Sequence, residues 1–325
     1  MAGPSIARIP MEIRKAATVI AIAIVLASSF AAAYTVALGR PSPRNLPVGV
    51  VGSTAVTAPF VAALHKNSGE FDVHQYATRD EAVTAINQQR IIAAIDATAS
   101  RPELLLSSAS DPSGTRALIQ LDQTQPGPFI LPIVDLHPLP PSDPAGLATF
   151  YLVIAATILG FITMFQLRAN VKTLNLRRWL ACLAALAVVG GLALSAVTGP
   201  VLGALSTPFP QLWLLTSIQI AIAASFNSAM LVLIHRWAII PTWLVFILLG
   251  NTSSGGAVSA SLLPQPFAFF NHALPSGATV SAIHAATYFP HNQRPLPFIV
   301  LAVWLVGSLV AAVVASRALH RSPAQ

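Results

Sequence analysis

Ile247–Phe270 reads ILLGNTSSGGAVSASLLPQPFAFF, and the fold turns on where this stretch sits. An apolar run stops at Gly250. Small and polar residues follow from Asn251 to Ala257, and apolarity then resumes, interrupted by Pro264 and Pro266. The stretch carries no charge. A soluble loop would carry some, and a spanning helix would not tolerate so many polar and glycine residues. Irregular backbone at membrane depth persists only where protein or a water-filled cavity satisfies its polar groups. The stretch therefore predicts a bilayer border lined by protein.

The rest of the chain agrees with a membrane setting. Of its 325 residues 54% are hydrophobic and 9% charged, with a mean hydropathy of +0.69, outside the usual soluble range. The lone Cys182 lies in an apolar run and excludes an internal disulfide framework. Arginine outnumbers lysine 15 to 3 and alanine is abundant, which suggests a GC-rich bacterial genome.

A bilayer core takes about 20 apolar residues per helix. Six segments qualify: Ala16–Leu38, Leu147–Leu167, Trp179–Val197, Leu212–Ile234, Trp237–Gly250 and Pro297–Ser316. The fifth is the weakest, with 14 residues and Pro241 inside it. If all six cross, one side collects Arg8, Arg14, Lys15, Arg168, Lys172, Arg177, Arg178, Arg236, Arg317 and Arg321, opposed only by Glu12. Arg40 and Arg44 flank the first span on the other side. The basic side is the cytoplasm, so both termini are expected inside. The first apolar run of 23 residues exceeds a signal-peptide core of roughly 7–15 and reads as an uncleaved anchor.

Residues 40–145 belong to another solvent. They hold ten of the eleven acidic residues and seven basic ones. Strand-like runs (LPVGVVG at Leu46, FDVHQYA at Phe71, IIAAIDA at Ile91, ELLLSSA at Glu103, FILPIVDLHPL at Phe129) alternate with helix-like ones at Thr57, Arg79 and Gly114. That alternation predicts a small α/β unit with a partly parallel sheet. His65, His74 and His137 are scattered without a catalytic or metal-binding spacing, and no nucleotide loop ending in Gly-Lys-Ser/Thr exists. Enzymatic activity is not expected.

The expected fold is an α-helical polytopic membrane protein with six transmembrane helices. It comprises the N-terminus and first helix (1–39), an extracytoplasmic α/β domain (40–145) and a five-helix membrane domain (146–325) with a re-entrant segment at 250–290. The spans contain no Asp, Glu, Lys or Arg, which argues against proton coupling. Gln219 and Asn227 are their strongest polar groups, eight residues apart on one broad side of a helix. They suit either interhelical hydrogen bonding or a substrate-lining face.

Between the fifth and sixth segments, three short apolar pieces (256–263, 267–274 and 278–288) are separated by Pro264-Gln265-Pro266 and Pro275-Ser276-Gly277. Each is too short to cross and reads as a re-entrant or interfacial helix. Asn251, Thr252, Ser253 and Ser254 supply caps, and Gly250, Gly255 and Gly256 permit close approach. His272, His284 and His291 lack a metal-ligand spacing.

The layout, and above all GNTSSGGAVSASLLPQPFAFFNHALPSGATVSAIHAATYF (Gly250–Phe289), resembles the type-2 ABC exporter permease superfamily, in particular its phage-infection-protein-like branch. The matching features are G-N-x-S-S-G-G, a following leucine-proline, and a later L-P-x-G. LPVGVVG after the first span is similar to the entry strand of that branch. Members often carry Arg near the position of His284, and some have a long coiled ectodomain; this chain departs on both counts. The resemblance implies a dimeric subunit, homomeric or heteromeric, embedded in lipid and served by a separate cytoplasmic ATPase. It carries no cofactor or metal of its own and has no nucleic-acid partner. Coupling would run through RANVKTLNLRR, with Arg168, Lys172, Arg177 and Arg178. The segment Gly250, Asn251, Ser253, Ser254, Gly255, Gly256, Pro264, Pro275 and Gly277 would form the exit region. Export of a hydrophobic or amphipathic substrate across a bacterial cell membrane is the function implied. A non-transporting surface receptor, or a scaffold of a secretion assembly, fits the same residues.

Overall fold

The computed structural model describes residues 10–39, 43–65, 69–99, 101–124, 131–171 and 174–321. Lys172 lies outside the described residues. The chain is mostly helical, with one small sheet. Among the described residues five helices are long and apolar enough to cross a membrane, which fits a membrane-embedded protein.

After the first long helix, α1 (Met11–Leu38), come β1 (Leu46–Val51), α2 (Thr54–His65), β2 (Phe71–Tyr76), α3 (Arg79–Asn87), β3 (Ala93–Asp96), β4 (Glu103–Leu106), α4 (Pro112–Thr124) and β5 (Ile133–Asp135). The strand order is β2-β1-β3-β4-β5. All neighbours pair in parallel except β3 with β4. Side chains alternate across a strand, so each strand feeds two cores. Val48, Val50, Leu104 and Leu106 pack with Phe60 of α2 and Leu118 of α4. Val51, Ala94 and Leu105 pack with Ala82 and Ile86 of α3 on the other face. A strand buried on both faces needs an unbroken apolar run, which is why β1 reads LPVGVV. Caps set the helix starts. Thr78 accepts from the Glu81 N–H at the head of α3, and the Glu81 carboxylate accepts from the Ala77 N–H.

The prolines at 138–144 carry the chain out of the sheet. There the Asp143 carboxylate accepts from the Leu147 and Ala148 N–H groups at 2.8 and 2.9 Å and starts α5 (Ala148–Asn170). Next come α6 (Leu176–Ala196) and α7 (Phe209–Ile234). The sequence reading ends the third span near Val197. The helix instead continues as a π turn over Val197–Val201, which accommodates Pro200.

Helix α7 is the hub of the helical part, with α5, α6, α10 and α11 around it. Gly160 lets α5 approach until a Cβ there would lie 2.6 Å from the Ile220 carbonyl oxygen, and Gly191 does the same for α6 against Ser217. Polar side chains fasten each contact. Ser195 of α6 bonds Thr216, and Ser225 bonds Ser308 of α11.

At His235 the backbone takes φ +55° and α7 ends. A short turn, His235–Ala238, leads into α8 (Ile239–Thr242), which continues as a π-helix over Trp243–Asn251. This segment folds back along α7. Thr242 donates to the Asn227 amide oxygen at 3.1 Å, and the Phe246 ring meets Phe226 edge-on at 5.4 Å. Its 13 helical residues make about 20 Å, less than the roughly 30 Å of a bilayer core, so length alone does not make it a span. The chain ends in α9 (Gln265–Ala273), α10 (Pro275–Tyr288) and α11 (Leu296–Arg321). Helix α1 stands apart, buried only at Ala37 and touching the π-helix through Phe30 and Trp243.

Candidate functional site at the helical hairpin

Helices α9 and α10 form a V between the folded-back segment and α11. Leu274 at its tip is extended, as a residue before proline prefers, and Pro275 opens α10 without needing an N–H partner. The depth of the tip can be read from its neighbours. Thr279 of α10 donates to Gln219, ten residues into α7, and Trp304, eight residues into α11, donates its indole N–H to the Ala273 carbonyl at the tip. At 1.5 Å per residue the V reaches at least about 12–15 Å below the starts of α7 and α11. The other end of α10 returns to those starts: Thr287 bonds Thr207, and Gln211 donates to Gln293.

The 250–256 stretch fits against this V. A Cβ at Gly250 would lie 2.8 Å from the Val245 carbonyl oxygen and 2.9 Å from the Ser276 hydroxyl at the head of α10. Gly277 packs directly on the Asn271 carbonyl, closing the tip. Gly255 has φ +77°, a conformation costly to other L residues. A Cβ at Gly256 would lie 2.9 Å from Cβ of Phe150 near the start of α5. Asn271 of α9 donates to the Ser253 carbonyl at 2.8 Å, and Ser254 bonds the Asn251 carbonyl. Asn251, Ser253 and Ser254 are all buried, yet Asn251 Oδ1, Ser253 Oγ and Ser276 Oγ have no partner. Serine 253 therefore makes no cap bond through its side chain.

One expected element is corrected here. The first apolar piece, 256–263, is not a helix of useful length. It is irregular apart from a single turn at Ala260–Leu262. Gly255 ends the preceding helical path, and Leu263 before Pro264 is held extended. Pro264 then stands at the cap position of α9.

Gln219 and Asn227 each donate one hydrogen bond and accept one within the bundle. Gln219 donates to Thr157 of α5 and accepts from Thr279 of α10, both at 2.8 Å, with no exposure. Asn227 donates to the Phe161 carbonyl and accepts from Thr242. Each amide joins three elements. Of the basic residues expected at the connecting loop, Arg168 lies in the last turn of α5, and Arg177 and Arg178 are exposed on the first turn of α6, which Asn175 caps through the Arg178 N–H. Arg168, Trp179 and Arg317 line a cavity of about 440 Å³ at this end of the bundle.

Sequence reasoning did not anticipate the joint between sheet and hairpin. Ser261 donates to the Asp111 carboxylate at 2.6 Å across 150 residues. Arg294 donates to the Gln89 and Gln88 carbonyls. His137, at the end of the sheet, donates to Asn87 at 2.7 Å and sets its ring edge-on to Phe289 at 4.8 Å. Burial pushes the His137 imidazole below its ordinary pKa, partly opposed by Asp135. One available signal was Arg294, the only formal charge among the 46 residues after Gly250 and before Pro297.

Comparison with known proteins finds no matching family model, no matching curated protein and no matching solved structure.

Proposed function

We propose that this chain is the permease subunit of a type-2 ABC exporter in a bacterial cell membrane, moving a hydrophobic or amphipathic substrate outward. In this reading six segments cross, the folded-back segment 237–251 being the fifth. Both ends lie in the cytoplasm and the sheet domain lies outside. The observation that carries it is the α9–α10 hairpin, whose uncharged, glycine-closed tip reaches at least about 12–15 Å down between α7 and α11. Such a hairpin makes a short protein-lined path from mid-bundle to the outer face without spanning helices.

Energy would come from a second polypeptide, because the sequence contains neither a nucleotide loop nor an Asp, Glu, Lys or Arg in its spans. Arg168 in the last turn of α5 and Arg177 and Arg178 in the first turn of α6 would receive it. Helix α1 leaves its apolar sides uncovered by the rest of the chain, which supports a dimer contact along α1 and the π-helix.

Two measurements test the reading together. A cysteine replacing Asp80, in a Cys182→Ala background, should react with an impermeant thiol reagent in intact cells. The tagged chain, purified in mild detergent, should bring an ATPase subunit with it, and Arg177→Glu with Arg178→Glu should release that subunit. Proton-driven substrate movement by the pure chain in liposomes would overturn the proposal, as would labelling only after the cells are opened.

A further inference from the structure

Where α5, α7 and α11 finish and α6 begins, they leave the cavity of about 440 Å³ described above, within the size range of small-ligand sites. Much of its wall is apolar, with Leu167 of α5 and Leu231 and Val232 of α7. Two exposed cations line it from different helices, Arg168 of α5 and Arg317 of α11. Trp179 of α6, half-buried, lines it too. An indole favours the boundary between apolar and polar surroundings.

The two arginines have no anion to meet. The chain contains no Asp or Glu after Asp143. Among the described residues neither guanidinium makes an ion pair or a hydrogen bond. Other arginines of the chain are engaged: Arg79 by two carboxylates, Arg116 and Arg294 by backbone carbonyls, and Arg236 by the face of Trp237 at 5.3 Å. The head of α6 also lines the cavity and adds the positive end of a helix dipole. Positive charge from three helices therefore borders one apolar space.

The chemistry of the missing anion follows from this arrangement. A tetrahedral phosphate presents oxygen edges in several directions, so guanidinium forks from two helices can each take one. A planar carboxylate presents a single edge. A phosphate joined to a choline would bring a third cation to a place that already holds two. Inorganic phosphate would leave the apolar wall without a partner, whereas an alkyl chain covers it. Basic pockets between helices at a membrane surface suit acidic headgroups for the same reasons.

We propose that this cavity binds an anionic phospholipid, with the headgroup phosphate held by Arg168 and Arg317 and the first part of a chain lying along Leu167, Leu231 and Trp179. The site does not rest on the export reading, because the chain alone should bind with no ATPase or transported substrate present.

The test uses the full chain purified in an uncharged maltoside detergent. Dioctanoyl phosphatidylglycerol, dioctanoyl phosphatidylcholine, decanoate and inorganic phosphate are titrated separately, and native mass spectrometry counts what each chain retains. One phosphatidylglycerol per chain is expected, bound at least about tenfold more tightly than each of the other three probes. Arg168→Gln and Arg317→Gln should each weaken it about tenfold. Arg236→Gln removes the same charge from a residue that does not line the cavity, and should change the affinity less than about twofold. Both cavity arginines are exposed, so the variants should elute as the parent does on size exclusion; should one fail to fold, the other decides. Equal binding of the choline lipid would overturn the proposal, as would phosphate or decanoate matching phosphatidylglycerol. Unchanged affinity in the folded cavity variants, or an equal loss in Arg236→Gln, would also overturn it by showing diffuse attraction without a site.

Discussion

The sheet domain and the helical bundle differ in the charge of the polar groups they bury. The sheet domain buries the carboxylates Asp96 and Asp111 beside the hydroxyls of Thr57, Ser107 and Thr115. Arg79, 41% exposed, bridges Asp96 and Glu103 at 3.2 and 2.8 Å across the ends of β3 and β4. In the bundle the buried polar groups are neutral amides and hydroxyls, five of them on the central helix α7. Water can solvate the rim of a charged triad, whereas an apolar bundle has no such rim, and there Gln219 and Asn227 meet partners on neighbouring helices. The same comparison holds for small residues. In the sheet domain Gly49 makes room for side chains, chiefly Ile91 and Ala94, whereas Gly160 and Gly277 in the bundle make room for backbone.

The largest effect should therefore come from bulk in the bundle. Gly277→Leu drives a side chain into the Asn271 carbonyl, which cannot swing aside. Overpacking of this kind costs about 1–3 kcal/mol or more, and the yield of folded protein by size exclusion in detergent should fall sharply. A normal yield would show that the hairpin tip is loosely packed and would break the comparison.

Charge in the sheet domain comes next. Asp96→Ala removes the acceptor of Arg79, of the Thr98 N–H and of the Thr98 hydroxyl. Because Arg79 is partly exposed and retains Glu103, the loss should be about 1–2 kcal/mol. Gln219→Leu should cost about 0.6 and at most ~1.7 kcal/mol, the range for bonds between helices in membranes. Limited proteolysis of the full chain should then show faster cutting within residues 43–145 for Asp96→Ala and little change for Gln219→Leu. The reverse order would mean that the amide network, not the triad, is the more costly one to break.

The smallest effect is a pH dependence where the two regions meet. The pKa of His137 is lowered on folding, so the fold favours the neutral ring. Its contribution is fully present above the ordinary value of about 6.5 and fades as pH falls through the folded value. Thermal unfolding followed between pH 7.5 and pH 5 should show a modest acid-side loss, and His137→Gln should flatten it. An unchanged profile in that variant would assign the acid sensitivity to another group.

Much of this was legible in the sequence because local pattern and final structure coincide. The strand at Leu46 had to be apolar throughout, and the helix at Arg79 begins with the acids and Thr78 cap that a helix start prefers. The pieces at 267–274 and 278–288 lie where α9 and α10 form, because the prolines that punctuate them act through their own backbone. The fold-back at His235 was not legible. Nothing in Ile234-His235-Arg236 demands positive φ, and the turn is fixed by Asn227 and Phe226 of α7 meeting Thr242 and Phe246. Within the candidate site, the glycines were readable as points of close approach, but their partners were not. Ser253 illustrates the limit: its residue type suggested a cap, whereas the structure uses its carbonyl and leaves its hydroxyl unbonded.

The Asp111–Ser261 and Arg294–Gln89 bonds also impose an order on synthesis. The sheet domain has all its strands once residue 135 has been made, and it holds its own cores. Its partners at the joint emerge only after another 126 to 159 residues have been added. Closing so long a loop costs entropy that grows only slowly with length, so the delay is kinetic. During that interval the face bearing Gln89, Asp111 and His137 waits uncovered while α5 to α8 are being made. A ribosome stalled before Pro264 would leave a finished sheet domain with its docking face open to proteases and chaperones. The joint is thus a record of completed translation: it closes only on a chain whose hairpin has arrived.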